Sequence, residues 1–192
     1  MANQPIGGLT PVRTVSGGPY SGALRSYTIP ASDGTAVYIG DLVTGVGTSS
    51  TVNGVQYQDV TRSATGDVFQ GVVVGVLPDT STSTIYRAAS TLRVVLVCDD
   101  PNMLFAVSDG TGGTSLTAAD IGLNANIVVA AGSTVTGRSG TTLDNTTEAT
   151  TNTLDVKLVE LINRADNTFG SASATFLVRL NRHRFANQIA GI

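Results

Sequence analysis

Two short runs of β-branched residues constrain this chain more than anything else in it: Phe69 to Leu77 (FQGVVVGVL) and Leu92 to Cys98 (LRVVLVC). Each is apolar and bounded by Pro, Gly, Asp or Ser clusters, so both read as core strands. Further on, Leu154, Val156 and Leu158 alternate with Asp155 and Lys157, and Phe176, Val178 and Leu180 alternate with Leu177 and Arg179. A period of two marks half-buried strands and makes the C-terminal third a two-faced sheet. Upstream, Ala36 to Ile39, the Gly40-Asp41 kink and Leu42-Val43 read as strand, kink and strand, and the Gly-Thr-Ser-Ser stretch at 47–50 ends the pattern.

The charged residues themselves disfavour helix. Acids are twelve Asp against two Glu, and bases are ten Arg against one Lys. That balance supplies turn residues and fixed hydrogen-bond forks in place of Glu/Lys helix surfaces. Within Ser115 to Val129, Thr117 is placed to cap one turn over Ala118, Ala119 and Asp120 before Gly122 interrupts it. Turn signals recur roughly every 8–12 residues with no helix between strands, so the expected architecture is all-β: an antiparallel, jelly-roll-like β-sandwich or a small β-barrel. The 192 residues suit one domain. A folded monomer of this mass exposes roughly 8,600 Å² and buries about 70% of its unfolded surface, enough for a core without disulfides.

Residues 1–23 hold Pro5, Gly7, Gly8, Pro11, Gly17, Gly18, Pro19 and Gly22. Such a density of breakers predicts an extended N-terminal arm ahead of a single β domain at 24–192, and removing the arm should leave that domain folded. From Gly132 to Asn152 the chain is nearly all Ser, Thr, Gly, Asn and Asp. It is expected as an exposed hairpin or a partner-facing loop. No apolar run approaches the ~18 residues of a membrane span, and the N-terminus MANQPIGGLT lacks a basic start followed by a hydrophobic stretch. The chain therefore reads as soluble and made in the cytoplasm.

Catalytic equipment is sparse: one His, one Cys and one Lys. Asp99, Asp100 and Asp109 precede or follow turns and lack the spacing of a calcium loop, so turn chemistry is the expectation. Cys98 ends an apolar strand beside two acids that raise a thiol pKa, which suits a buried small hydrophobe. His183, between Arg182 and Arg184, has no nucleophile motif to serve and is expected at solvent or an interface. The stretches GTGGTS (110–115) and GVGTSS (45–50) lack the Lys and helix start of a phosphate loop. No cofactor and no metal site is expected, and the chain is not expected to be an enzyme.

Charge is scarce, 13% of residues against a typical ~25%, and unevenly placed. Residues 1–30 sum to +2, residues 31–159 to −7 and residues 160–192 to +2. A total of −3 argues against a dedicated nucleic-acid binder. Basic ends on an acidic body suggest docking through the ends. The candidate interface residues are Arg13, Tyr20, Arg25, Arg179, Arg182, His183, Arg184 and Phe185.

The ordered set of an arm running into YTIPASDGTAVYIGDLV, then VTRSATGDVFQGVVVGVLPD, then YRAASTLRVVLVCDDPNMLFAV and LVRLNRHRF resembles the decoration, or cement, proteins of tailed-bacteriophage heads. The resemblance spans most of the chain and implies a non-enzymatic virion protein on the outer surface of the capsid. Its implied partners are the major capsid protein and copies of itself, a trimer favoured and a dimer possible, with no direct nucleic acid and no membrane. No catalytic or contact residue carries over. The alternative is a β-sandwich module recognising carbohydrate or host surface, which the scarcity of aromatics weakens.

Overall fold

In the computed structural model, residues 5–110, 112–188, 190 and 191 are described. Their breaker-bounded segments pair into twelve strands: β1 (Thr10–Thr14), β2 (Arg25–Ile29), β3 (Leu42–Val52), β4 (Val55–Arg62), β5 (Gly71–Val76), β6 (Arg93–Cys98), β7 (Met103–Ser108), β8 (Asn124–Ala125), β9 (Ile127–Val128), β10 (Thr142–Leu143), β11 (Val156–Leu161) and β12 (Thr175–Leu180). In the order β2-β4-β3-β5-β6 they close a small barrel; β1-β7-β12-β11-β8 form an antiparallel sheet, and β9 and β10 a two-stranded ribbon. The all-β expectation holds. Barrel wall and sheet are the two packed layers, and the one turn of helix is the 3₁₀ turn Ala118–Asp120, capped by Thr117.

The pleat explains why the valine runs are apolar at every position. Val73, Val95 and Val97 point into the barrel with Tyr27, Ile29, Val43 and Val60. Their neighbours Val72 and Cys98 point outward and meet Leu42, Phe105, Leu158, Phe176 and Val178 between barrel and sheet. Successive side chains leave a strand on opposite faces, so a strand buried on both must be apolar throughout. The far face of the sheet buries Leu104, Ala106 and Leu177 under Ile6, Val159 and Ile162. The accessible surface, 8675 Å², is that of one compact monomer of this mass.

Four expectations are corrected. The 47–50 stretch does not end a strand: β3 runs on to Val52 and returns as β4 through Asn53 (φ 51) and Gly54 (φ 80). Two left-handed central residues make the tight hairpin turn that matches strand twist. The segment 36–39 makes only isolated bridges, Val37 to Arg87 and Ile39 to Arg138.

The arm is built into the fold. β1 is the edge of the sheet, paired with β7, and Leu9 is buried in the main core. Pro11 is tolerated there because an edge strand has a free side. That side is closed by the chain's own return, Thr14 N donating to Gly18 O at 2.8 Å and Tyr20 N to Val12 O at 3.0 Å. Residues 1–4 of the expected arm lie outside the described residues.

The polar stretch 132–152 is partly core. Leu143 sits in the main cluster, and Ser139, Thr141 and Asn145 are buried. Ser139 Oγ donates to Asp41 Oδ1 at 2.5 Å. Asn145 Nδ2 donates to Gly110 O at 3.1 Å, and Gly113 N to Asn145 Oδ1 at 3.0 Å. Polar groups enter a core when their hydrogen bonds are met there. No described helix is long and apolar enough to cross a membrane.

Candidate functional site

Antiparallel pairing of β2 with β6 sets Arg25 opposite Val97, at the barrel end where the chain enters the Asp99–Asp100–Pro101 turn. Arg25 Nη1 lies 3.3 Å from Asp99 Oδ2, and its guanidinium carbon lies 5.7 Å from the centroid of the Phe185 ring. Asp99 Oδ2 also accepts from Tyr27 Oη at 2.8 Å, and Tyr27 Oη accepts from Gln70 Nε2 at 2.9 Å. A buried relay thus fixes the carboxylate that Arg25 meets from the solvent side. Burial raises the Tyr27 phenol above its ordinary value, and its bond to Asp99 adds to the rise.

The C-terminal segment completes the site. His183 bridges Phe69 in parallel and is 3% exposed, so the histidine expected at solvent or an interface is buried within the chain itself. Its Nδ1 accepts from Phe185 N at 3.1 Å, and burial lowers its pKa. A ring accepting at Nδ1 is neutral with its proton on Nε2, by inference from the bond. Arg179 Nε donates to Pro101 O at 2.9 Å and steadies the turn. Together, Leu24, Arg25, Asp99, Asp100, Pro101 and Phe185 line an open cleft of about 530 Å³.

Of the eight candidate residues, Arg25, Arg179, His183 and Phe185 thus gather around the 99–102 turn. Tyr20 packs on the main core nearby, its hydroxyl buried without a hydrogen-bond partner. Its pKa is raised by burial and then by Cys98. The other three stand elsewhere. Arg13 pairs with Glu160, tying β1 to β11. Arg182 Nε donates to Asp67 O at 3.1 Å and lies 4.0 Å from Asp155 Oδ1, and its Nη1 donates to Thr153 O at 2.8 Å. Arg184 Nη2 donates to Gly45 O at 3.2 Å. All five of these arginines make bonds inside the chain, as the fixed fork of a guanidinium allows.

The sequence reading missed Asp99 as the acceptor that organises the site, because Asp before Asp-Pro carries an ordinary turn signal. It also missed Arg87, which is fully buried and donates to the carbonyls of Thr91, Thr35, Pro30 and Asp33 at 2.6–2.8 Å. Cys98 is buried as expected, and burial pushes its thiol up to about 11. Among the described residues no group of three His, Cys, Asp or Glu side chains is arranged to hold a metal ion. No family model, no curated protein and no solved structure matches the chain.

Proposed function

We propose that this chain is a capsid decoration protein of a tailed bacteriophage, a non-enzymatic part made in the host cytoplasm and carried on the outer surface of the head. It docks on the major capsid protein, associates with copies of itself and cements neighbouring capsomers against internal DNA pressure. The observation that carries the reading is the junction cleft. There a two-thirds exposed Arg25 side chain, a half-exposed Phe185 ring and the Asp99–Asp100 turn form one charged and aromatic spot on a surface otherwise poor in charge. Arg and aromatic side chains of this kind anchor protein partners.

The rest of the molecule suits a load-bearing role. Bonds between distant segments, such as Ser139 to Asp41 and Arg182 to Asp67, hold the loops in the body. Both edges of the sheet are covered by the chain, β1 by 18–20 and β8 by Ala149. Modest docking contacts suffice when many identical copies are held on one lattice. The test is co-sedimentation of the purified chain with heads of the phage that encodes it, followed by electron cryomicroscopy. Saturable binding with added density outside the shell is expected. Heads that take up none of the chain, or density inside the shell, refute the assignment.

A further inference from the structure

One anchor of the junction cleft is held by a titratable ring. Phe185 is 51% exposed, too open for packing alone to fix its place. Its backbone N donates to His183 Nδ1 at 3.1 Å, and the two rings stand 5.7 Å apart, tilted by 53°. His183 itself is anchored in the body, where Phe69 N donates to Arg182 O at 2.7 Å and Arg184 N to Phe69 O at 2.9 Å. Beyond that bridge the backbone is tied by Ala186 N, which donates to His183 O at 3.2 Å. His183 Nε2 is buried and meets no hydrogen-bond partner among the described residues.

A neutral imidazole accepts at one nitrogen and donates at the other, whereas an imidazolium donates at both. A proton added at Nδ1 would set N–H against N–H at Phe185 and leave a buried cation with no acceptor on either side. Water can supply those acceptors only when the turn opens. Burial, the largest influence on the ring, disfavours its charged form; Asp99 and Asp100, on the turn after β6, favour that form, and Arg179 on β12 disfavours it. Arg25 on β2 pairs with Asp99. On the ring's own segment Arg182 lies by Asp67 and Asp155, and Arg184 donates to Gly45 O. Tyr20, Tyr27 and Cys98 at the same end are raised by burial and keep their protons at neutral and acid pH.

We propose that His183 is a pH latch on the docking cleft: the neutral ring holds Phe185 beside Arg25, and the protonated ring releases the 185–188 turn and withdraws the aromatic anchor. The bridge between Phe69 and residues 182–184 precedes the released bond in the chain, so the core stays packed while Phe185 moves. A released ring in water titrates at about 6.5 and the buried ring below that value, so the latched form is favoured above it and the released form gains as pH falls through it. Docking therefore weakens in mild acid, as in other histidine switches. The inference rests on the decoration reading of this cleft and adds a regulation to it.

The test is an NMR titration of the ¹⁵N-labelled full chain from about pH 8 to about pH 5, with co-sedimentation on heads at both ends. At the upper end His183 Nδ1 is expected to be unprotonated and Nε2 protonated. On acidification the ring should titrate below the ordinary histidine value, and on the same curve the Phe185 amide should shift and lose at least about ten-fold in protection from hydrogen exchange. His183→Asn offers an oxygen near the Nδ1 position that does not titrate, so its Phe185 amide should stay still and its head binding stay level where the wild type loses about ten-fold. Should that variant fail to fold, the wild-type titration decides alone. A ring that stays neutral throughout, a ring that titrates with the Phe185 amide unmoved, or a folded His183→Asn chain as acid-sensitive as the wild type overturns the proposal. Heads bound equally at both ends refute the latch and leave the decoration reading intact. Heads bound at no pH, with the amide following the ring, refute the decoration reading alone.

Discussion

The guanidinium of Arg25 lies 5.7 Å from the ring of Phe185, joining the strand that opens the barrel to the turn that follows the last strand of the sheet. The contact is solvent-exposed, where a cation–π pair contributes roughly 0.5–1 kcal/mol and an ion pair such as Arg25–Asp99 about 0.2–1 kcal/mol. Its value to folding is therefore small, and its geometry is free to serve a partner.

Arg25→Glu and Phe185→Ala are accordingly expected to lower the unfolding free energy by no more than about 1–2 kcal/mol. Both should weaken binding to heads by ten-fold or more. Denaturant melts paired with co-sedimentation isotherms separate the two effects, and full head binding by both variants rules the cleft out as the docking site.

Arg87 presents the opposite case. It is completely buried and holds four carbonyls from two loops, 30–41 and 77–92, with Asp33 Oδ1 at 4.0 Å. Arg87→Ala is expected to cost more than about 3 kcal/mol, since it strands those carbonyls and opens a cavity. Arg87→Lys should recover little, because one ammonium cannot span the fork. Urea denaturation midpoints measure both.

Acid should stabilise this protein before it harms it. Burial pushes the Asp109 carboxyl up to about 6 against the opposing N–H bonds of Leu116 and Gly110, and the charge of Glu148 adds to the rise. Burial raises Asp41, Glu148 and Asp155 in the same direction. A folded value above the unfolded one, ~3.9 for Asp, means that the folded chain binds the proton more tightly. The stability from these carboxyls then rises as pH falls from about 7 to about 4, by on the order of 2–3 kcal/mol from Asp109 alone, and is opposed below the ordinary histidine value by buried His183, whose lowered pKa makes the unfolded chain the better proton binder there. Calorimetric Tm against pH should show this rise, and Asp109→Asn should flatten it by raising the pH 7 value.

Deleting residues 1–23 is expected to destroy the fold, contrary to what an arm would allow. The cut removes β1 and Leu9 and uncovers the apolar edge of β7. Loss of Leu9 alone costs about 2–5 kcal/mol. Soluble yield and the thermal melt of the truncated chain check this.

A milder probe of the same join is Gly40→Ala. Gly40 has φ +95, and a Cβ there would stand 2.8 Å from Gly7 O, where the N-terminal segment crosses the 38–41 turn and Leu9 N donates to Gly40 O at 3.0 Å. The substitution is expected to cost about 1–3 kcal/mol in a urea melt, and Gly34→Ala, which meets nothing within 4 Å, close to none.

The features readable from residue patterns are local. The valine runs, the alternation through Phe176 and Val178, the Thr117 cap and the burial of Cys98 were all legible, because pleat, propensity and capping act over a few residues. The Asn53-Gly54 turn was equally open to reading, and its neighbours, rich in Thr and Ser, masked it. It took the packed fold to set Ser139 on Asp41 across 98 positions, to make Arg87 a core residue, to add β1 to the sheet and to bury His183 against Phe69. A polar side chain enters a core only when a partner meets its hydrogen bonds, and where that partner lies far along the chain no short pattern announces it. The candidate site follows the same rule: Arg25 and Phe185 were named from the basic charge of the ends, but Asp99, which Arg25 pairs with, became visible only when barrel and sheet met.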